Sequence, residues 1–147
     1  MKDTYEVEIK ALLSGKAGAE KLVEEMKAKD PSFAARGSHT QLNHYFTGGD
    51  LKALAKSVAT VLLSHHAEKL DDLAACAKDF SLRTRLADGK LILVVKASVD
   101  DTTSANGTAR LEFEAEIPNA TLDELDTLIL KSGFEYQAKW SRERSDY

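Results

Sequence analysis

Cysteine is almost absent from this 147-residue sequence, which contains one, Cys76. A single cysteine cannot form an internal disulfide, and alone it cannot build a thiolate metal site. The sequence also lacks the ~18 consecutive apolar residues of a membrane helix, and its N-terminus has no signal-peptide core. These absences predict a soluble, cytoplasmic protein without a membrane partner, in which Cys76 is a small buried residue on a helix.

An excess of basic residues is missing as well. The 20 lysines and arginines are outnumbered by 24 aspartates and glutamates, so the formal net charge is -4. A protein that binds nucleic acid through its surface needs a sustained basic face, because its affinity comes from neutralising phosphates. The composition therefore excludes a nucleic-acid partner of this kind and restricts any anion site to a local cluster.

Several familiar motifs are absent. The sequence has no Walker-type phosphate loop, nucleophile elbow or dinucleotide fingerprint, and no internal repeat. Its length fits one domain, and 43% hydrophobic residues are enough for one core. We therefore expect a single domain spanning residues 1–147.

What the sequence does contain is a set of strand-like segments with charge at alternate positions. Residues 5–10, 80–86, 109–117 and 142–144 share this pattern, which places the charged side chains on one face of each strand. The candidate residues on these faces are Glu6, Glu8, Lys10, Arg83, Arg85, Arg110, Glu112, Glu114, Arg142 and Arg144, and Lys96 belongs to the charged face of the predicted strand at 90–98.

The opposite faces of these strands are apolar. They carry Leu82, Leu86, Leu91, Leu93, Val95, Leu111, Phe113 and Ile117. If these residues are buried against helices, the charged faces must point to a lumen or to solvent. Two alternatives stay open at this point: a shared charged interior, or solvated faces with surface salt bridges worth only ~0–1 kcal/mol each.

The remaining segments predict covering helices and connections. Ser14 caps a helix of residues 17–29 that covers a sheet, and Asp50 caps a helical region to Lys78 that is one bent helix or two. Further strands are predicted at 33–46, 80–87, 90–98, 108–117 and 134–147, a hairpin turn at Ala87-Asp88-Gly89, a mobile loop at 99–107, and a helix from Thr121 to Gly133.

The charged faces have a definite chemistry. Carboxylates two residues apart on a strand, such as Glu6 with Glu8 or Glu112 with Glu114, can share a hard cation such as Mg²⁺. Arginine binds phosphate oxygens through two parallel hydrogen bonds. The four histidines are interpreted as surface residues, with His44 the one worth testing.

Six blocks of the sequence resemble the CYTH superfamily, also called triphosphate tunnel metalloenzymes. Glu6-Val7-Glu8-Ile9-Lys10 is similar to its ExExK signature. The other five follow in family order: Asn43-His44-Tyr45-Phe46, Leu82-Arg83-Thr84-Arg85, Val95-Lys96, Arg110-Leu111-Glu112-Phe113-Glu114 and Arg142-Glu143-Arg144-Ser145-Asp146-Tyr147. The resemblance spans the whole chain.

The resemblance implies an α+β fold with an antiparallel β-barrel whose tunnel binds a triphosphate. Lys10, Arg83, Arg85, Lys96, Arg110, Arg142 and Arg144 would bind the phosphates, and Glu6, Glu8, Glu112 and Glu114 would hold Mg²⁺ or Mn²⁺. The substrate would be ATP, tripolyphosphate or thiamine triphosphate, turned over by an adenylate cyclase or a triphosphatase. No general base or nucleophile-positioning residue is assigned.

The sequence departs from the family pattern after Tyr147, where family members continue into further strands. The resemblance therefore implies a barrel that is incomplete at the C-terminus, with weak or no activity in the chain alone. An open barrel leaves an unpaired edge, so a homodimer is a further expectation. A non-catalytic module that binds polyphosphate or nucleotide is the alternative function, and an interaction domain with solvated charged strands is the third.

Overall fold

The computed structural model describes residues 8–99 and 110–147. Its elements are α1 (Lys16–Lys29), β1 (Gly37–Thr47), α2 (Leu51–Val58), α3 (Ser64–Cys76), β2 (Asp79–Ala87), β3 (Lys90–Ser98), β4 (Arg110–Glu116), α4 (Leu122–Lys131) and β5 (Glu135–Asp146). The described residues fall into two compact units. The terminal unit comprises those up to Gly37 together with Ser145–Tyr147, and the sheet unit comprises Ser38–Arg144.

The terminal unit corrects three predictions. Residues 8–10 lie outside any strand, so the predicted opening strand is wrong there, while residues 5–7 are outside the described part of the chain. Helix α1 begins after Gly15 without a side-chain cap, so Ser14 is not its N-cap. No residue of α1 is buried, and Leu22 and Met26 are 42% and 43% exposed, so the predicted burial of this stripe against a sheet is wrong.

Five strands form one antiparallel sheet in the order β4-β3-β2-β1-β5. This confirms the predicted α+β class with an antiparallel sheet. Within residues 8–99 and 110–147, β4 and β5 are the two edges and the sheet is not closed. Closure into a barrel or tunnel therefore stays a prediction. The first strand of the sheet begins at Gly37 rather than at residue 33.

A tight turn fixes the register of β2 and β3. Asp88 and Gly89 have φ angles of 51° and 80°, and two positive φ values in succession define the hairpin turn that Asp-Gly favours. The turn pairs Leu86 with Leu91 and Arg85 with Ile92. The predicted hairpin is confirmed, and the register that it sets determines which side chains share a face.

Side-chain caps define the starts of two helices. The Asp50 carboxylate accepts a hydrogen bond from the amide of Ala53, and the Thr121 hydroxyl accepts one from the amide of Glu124. Both predicted caps are confirmed, and each satisfies a donor that the first helical turn leaves unpaired. The region after Asp50 forms two helices, one of the two expected alternatives. The predicted loop at 99–107 lies outside the described residues apart from Val99.

The core lies between one face of the sheet and helices α2, α3 and α4. Its most deeply buried apolar side chains are Leu54, Val58, Leu70, Leu82, Leu93, Val95, Phe113, Ile117, Leu125 and Ile129. Burying a side chain of this size contributes about 1.5–3 kcal/mol. The predicted apolar face is confirmed except at Leu111, which is 50% exposed near the start of edge strand β4.

Two further residues differ from expectation. Cys76 is exposed rather than buried, because it is the last residue of α3. His44 is buried rather than on the surface. None of the helices in the described residues is long and apolar enough to span a membrane.

A buried carboxylate connects α4 to three strands. Asp126 is 2% exposed, and its Oδ2 lies 2.6 Å from Nδ1 of His44. The hydroxyls of Thr84 and Tyr136 each donate to the same carboxylate at 2.8 Å. These contacts satisfy a group that would otherwise be costly to bury, and they link β1, β2 and β5 to one helix.

The Asp126→Ala variant should therefore be strongly destabilised, because the buried His44 and Thr84 and the hydroxyl of Tyr136 would lose their common acceptor. We expect the free energy of unfolding to fall by about 3 kcal/mol or more. Urea unfolding followed by circular dichroism measures it. The control is Asp123→Ala, which removes an exposed carboxylate from the first turn of the same helix and should cost under ~1 kcal/mol. Equal losses in the two variants would contradict the structural role of Asp126.

Tyr136 should titrate late. Burial, followed by its hydrogen bond to Asp126, raises the pKa of Tyr136 to about 12. Since an unfolded tyrosine ionises near pH 10, its stabilising contribution is fully present below about pH 10 and is lost as the pH rises through about 12. Absorbance titration of the wild type minus Tyr136→Phe should isolate one phenol ionising near pH 12. A difference curve centred near pH 10 would contradict the buried hydrogen bond.

Candidate functional site

The face of the sheet opposite helices α2, α3 and α4 carries charged side chains from strands β2, β3 and β4. Residues directly paired across antiparallel strands project to the same side. Tyr45 pairs with Arg83, Arg83 with Val94, and Val94 with Glu114. We call this side the charged face; it comprises Asn43, Tyr45, Arg83, Arg85, Lys96, Arg110, Glu112 and Glu114.

Two arginines of β2 occupy the middle of the charged face. The Arg83 Nη1 donates to the Tyr45 hydroxyl at 2.8 Å, and its guanidinium carbon lies 5.7 Å from the centre of the Tyr45 ring. The Arg85 Nε donates to Oδ1 of Asn43 at 3.3 Å. Both guanidinium groups are thus oriented by side chains of β1, which limits the rotamer freedom that an arginine loses when it binds an anion.

Asn43 has an unusual position. It is fully buried, its Oδ1 accepts from Arg85, and its Nδ2 has no hydrogen-bond partner among the described residues. An unsatisfied buried donor costs about 1–3 kcal/mol, so such groups are rare in folded proteins. The hydrogen bond from Arg85 holds the carboxamide at this position although its Nδ2 stays unsatisfied.

Carboxylates and cations alternate across β3 and β4. Lys96 and Glu112 are paired residues whose Nζ and Oε1 lie 3.9 Å apart. The Arg85 Nη1 and the Glu114 Oε1 lie 3.7 Å apart across the intervening strand β3. These distances describe loose ion pairs between partly exposed groups, which are worth little and can be exchanged for other partners.

The same two carboxylates are suitable for a cation. Glu112 and Glu114 stand two residues apart on one face of β4 and are about half exposed, at 50% and 48% of their side-chain surface. Mg²⁺ is usually bound by one or two carboxylates, with water and substrate phosphates completing its shell. Residues 8–99 and 110–147 contain no group of three or more potential metal ligands. The donor set therefore fits a cation that arrives with a phosphate ligand.

Strand β5 changes the side on which its residues project. The Tyr136 ring contacts His44 and Phe46 on the helix side, and the Lys139 ammonium lies 3.9 Å from the centre of the Tyr136 ring. Trp140, however, stacks on Tyr45, with ring centres 6.3 Å apart and planes 24° apart. Residues 136 and 140 would share a side in a regular strand, so the alternation shifts by one between them.

This shift assigns the last basic residues. Counting by twos from Trp140 places Arg142 and Arg144 on the side of the charged face. Arg142 also lines a cavity of about 320 Å³ with Gln41, Leu42 and Asp88. The two arginines lie on edge strand β5, beside β1, whereas Glu112 and Glu114 lie on the opposite edge strand, β4.

The structure groups most of the residues that sequence predicts for the site. Arg83, Arg85, Lys96, Arg110, Glu112 and Glu114 share the charged face. Glu8 and Lys10 belong to the terminal unit, where their charged atoms lie 3.7 Å apart and both side chains are exposed. Glu6 is outside the described residues.

Sequence reasoning did not assign a site role to Asn43, Tyr45 or Trp140. A signal for the first two was present in the Asn43-His44-Tyr45-Phe46 block, whose alternation places Asn43 and Tyr45 on one side and His44 and Phe46 on the other. For Trp140 the signal was its spacing of two and four residues from Arg142 and Arg144, which places it on the same side as these predicted site residues.

Comparisons with known proteins give little further information. No family model and no curated protein matches the chain. Among solved structures, it is similar to the PH1819 protein from Pyrococcus horikoshii OT3, with 18% sequence identity and a TM-score of 0.45. The match covers 84% of this chain and 56% of that one, so the chain spans little more than half the length of this structural neighbour.

Proposed function

We propose that this protein is a cytoplasmic, CYTH-type enzyme that binds a triphosphate on the charged face and processes it with Mg²⁺ or Mn²⁺. The observation that carries the proposal is the pair of arginines on β2, whose guanidinium groups are oriented by hydrogen bonds to Tyr45 and Asn43. Phosphate oxygens beside Arg83 and Arg85 would accept charge-assisted hydrogen bonds from these groups.

The basic residues of the face would bind the phosphates. Arg83 and Arg85 offer planar donor groups already oriented by Tyr45 and Asn43, and Lys96 adds a point charge on the next strand. In the wider proposal, Arg110, Arg142 and Arg144 extend the phosphate contacts, as the resemblance to the family implies. Such an arrangement supplies positioning and charge neutralisation, which are the main components of phosphoryl-transfer catalysis.

The acidic residues would exchange partners when substrate binds. Glu112 and Glu114 would hold the metal ion together with substrate phosphates. When bound, Mg²⁺ or Mn²⁺ supplies charge stabilisation at the phosphate oxygens. Glu114 would then release Arg85, which could bind the phosphate chain. The mixed charge of the face therefore suits a complex of an anionic triphosphate with a metal cation.

The nucleophile decides the product. Water at the terminal phosphate gives hydrolysis, whereas a ribose 3′-hydroxyl at the α-phosphate gives a cyclic nucleotide and pyrophosphate. Incubation with tripolyphosphate, ATP or thiamine triphosphate, with each metal, separates the triphosphatase from the adenylate cyclase by product. Tight binding without turnover would instead support the non-catalytic module. Closure of the face into a tunnel by a second copy belongs to the same proposal and is tested by light scattering, which measures the oligomeric state.

Arg85→Ala should weaken tripolyphosphate binding by roughly 10- to 150-fold, because one charge-assisted hydrogen bond of about 1.5–3 kcal/mol is lost. The control is Lys52→Ala, which removes one positive charge from the exposed surface of α2 on the other side of the sheet. Isothermal calorimetry at fixed salt compares them. Equal affinities for the two variants would contradict an anion site on the charged face.

Glu114→Gln should strengthen tripolyphosphate binding in the absence of metal and should reduce the gain in affinity that Mg²⁺ provides. In the presence of a chelator, Arg85 loses its competing carboxylate, so tripolyphosphate should bind up to roughly fivefold more tightly. With Mg²⁺ present, the gain in affinity that the metal gives should shrink, because a neutral amide oxygen is a weaker ligand for Mg²⁺ than a carboxylate. Glu68→Gln on the exposed surface of α3 is the matched control. A Mg²⁺-dependent gain equal to that of the wild type would contradict a metal role for Glu114.

A further inference from the structure

An aromatic pair borders the arginines of the charged face. Tyr45 and Trp140 stack with their ring planes 24° apart, and we call this pair the aromatic shelf. Tyr45 is half-buried and holds Arg83 through its hydroxyl, whereas Trp140 is 37% exposed. Trp140 thus presents an accessible indole beside Tyr45, and Tyr45 in turn holds the Arg83 guanidinium. The proposed function assigns that guanidinium to a substrate phosphate.

The aromatic shelf would make no stacking contact with an inorganic triphosphate, because that ligand has no apolar surface. A planar base can stack on an exposed indole, and one such contact corresponds to roughly 5- to 150-fold in affinity. Stacking beside an arginine also lets one ligand satisfy both groups, the ring on the indole and its phosphates on the guanidinium. The arrangement thus resembles two parts of a single binding site.

The charge beside the shelf favours a neutral ring. The Arg83 guanidinium lies 5.7 Å from the centre of the Tyr45 ring, and the shifted alternation of β5 places Arg142 two residues beyond Trp140 on the same side. A thiazolium ring carries a permanent positive charge, so repulsion from the nearby guanidinium group would offset its attraction to the indole face, whereas a purine stacks without that repulsion.

We propose that the aromatic shelf binds the base of a nucleoside triphosphate, so that nucleotides are preferred over both inorganic tripolyphosphate and thiamine triphosphate. This inference rests on the proposed triphosphate site and narrows its substrate class. It assigns Trp140 a role in substrate discrimination and leaves the phosphate contacts to the arginines.

The test uses Trp140 itself as the reporter, because it is the chain's single tryptophan. Affinities for ATP, thiamine triphosphate and tripolyphosphate are measured by calorimetry at one salt and Mg²⁺ concentration, with tryptophan fluorescence recorded in parallel. We expect ATP to bind at least fivefold more tightly than the other two ligands. ATP should also quench the Trp140 emission, and tripolyphosphate should not.

Two variants separate stacking from structure. Trp140→Ala should bring the ratio of ATP to tripolyphosphate affinity close to one, and Trp140→Phe should retain most of the ratio because phenylalanine can still stack. If Trp140→Ala does not fold, the ratio of ATP to tripolyphosphate affinity in Trp140→Phe, together with the quenching of wild-type Trp140 by ATP, still tests the proposed stacking.

The outcomes distinguish the two proposals. Tripolyphosphate binding with an ATP ratio near one and no quenching would overturn the shelf and leave the triphosphate site intact. Tighter binding of thiamine triphosphate than of ATP would overturn the preference for a neutral base. Absence of binding by all three ligands would overturn the proposed function and this inference with it.

Discussion

Burial of one face of the sheet constrains the rest of the structure. Helices α2, α3 and α4 cover Leu82, Leu93 and Phe113, and strand alternation then leaves every second residue on the other side. A shift of register by one residue would expose the core and bury arginines, at a cost far above the stability of a domain this size. The charged face is thus fixed by hydrophobic burial behind it.

The Asp126 cluster adds a polar constraint inside that apolar layer. Hydrophobic contacts tolerate small displacements, whereas a carboxylate with partners on β1, β2 and β5 fixes the relative position of these strands and α4. The strands that it joins are those that carry Asn43, Tyr45, Arg83, Arg85 and Trp140 on their other side. A buried network on one face of the sheet thereby supports the side-chain arrangement on the opposite face.

Local signals account for the parts of the fold that sequence predicts well. The Asp50 and Thr121 caps and the Asp88-Gly89 turn each depend on a few neighbouring residues, and the alternation of 80–98 follows from the turn. His44 and Asp126 are 82 residues apart, so no local pattern joins them. A hint was present, because Asp126 interrupts the apolar stripe between Leu125 and Ile129. The side of Tyr136 was beyond reach, because regular alternation from Arg142 and Arg144 would place it on the charged face, whereas its ring contacts His44 and Phe46.

Because of the shift in β5, the number of residues between Tyr136 and Trp140, as well as their identity, determines which side chains lie on the charged face. Deletion of one residue between Tyr136 and Trp140 would restore regular alternation and turn Trp140 and Arg142 to the helix side, with Ser141 and Glu143 replacing them. The composition of that edge would change from aromatic and basic to polar and acidic without a single substitution. Relatives of this chain that differ by one residue in this segment would therefore present a different surface even where every neighbouring side chain is the same.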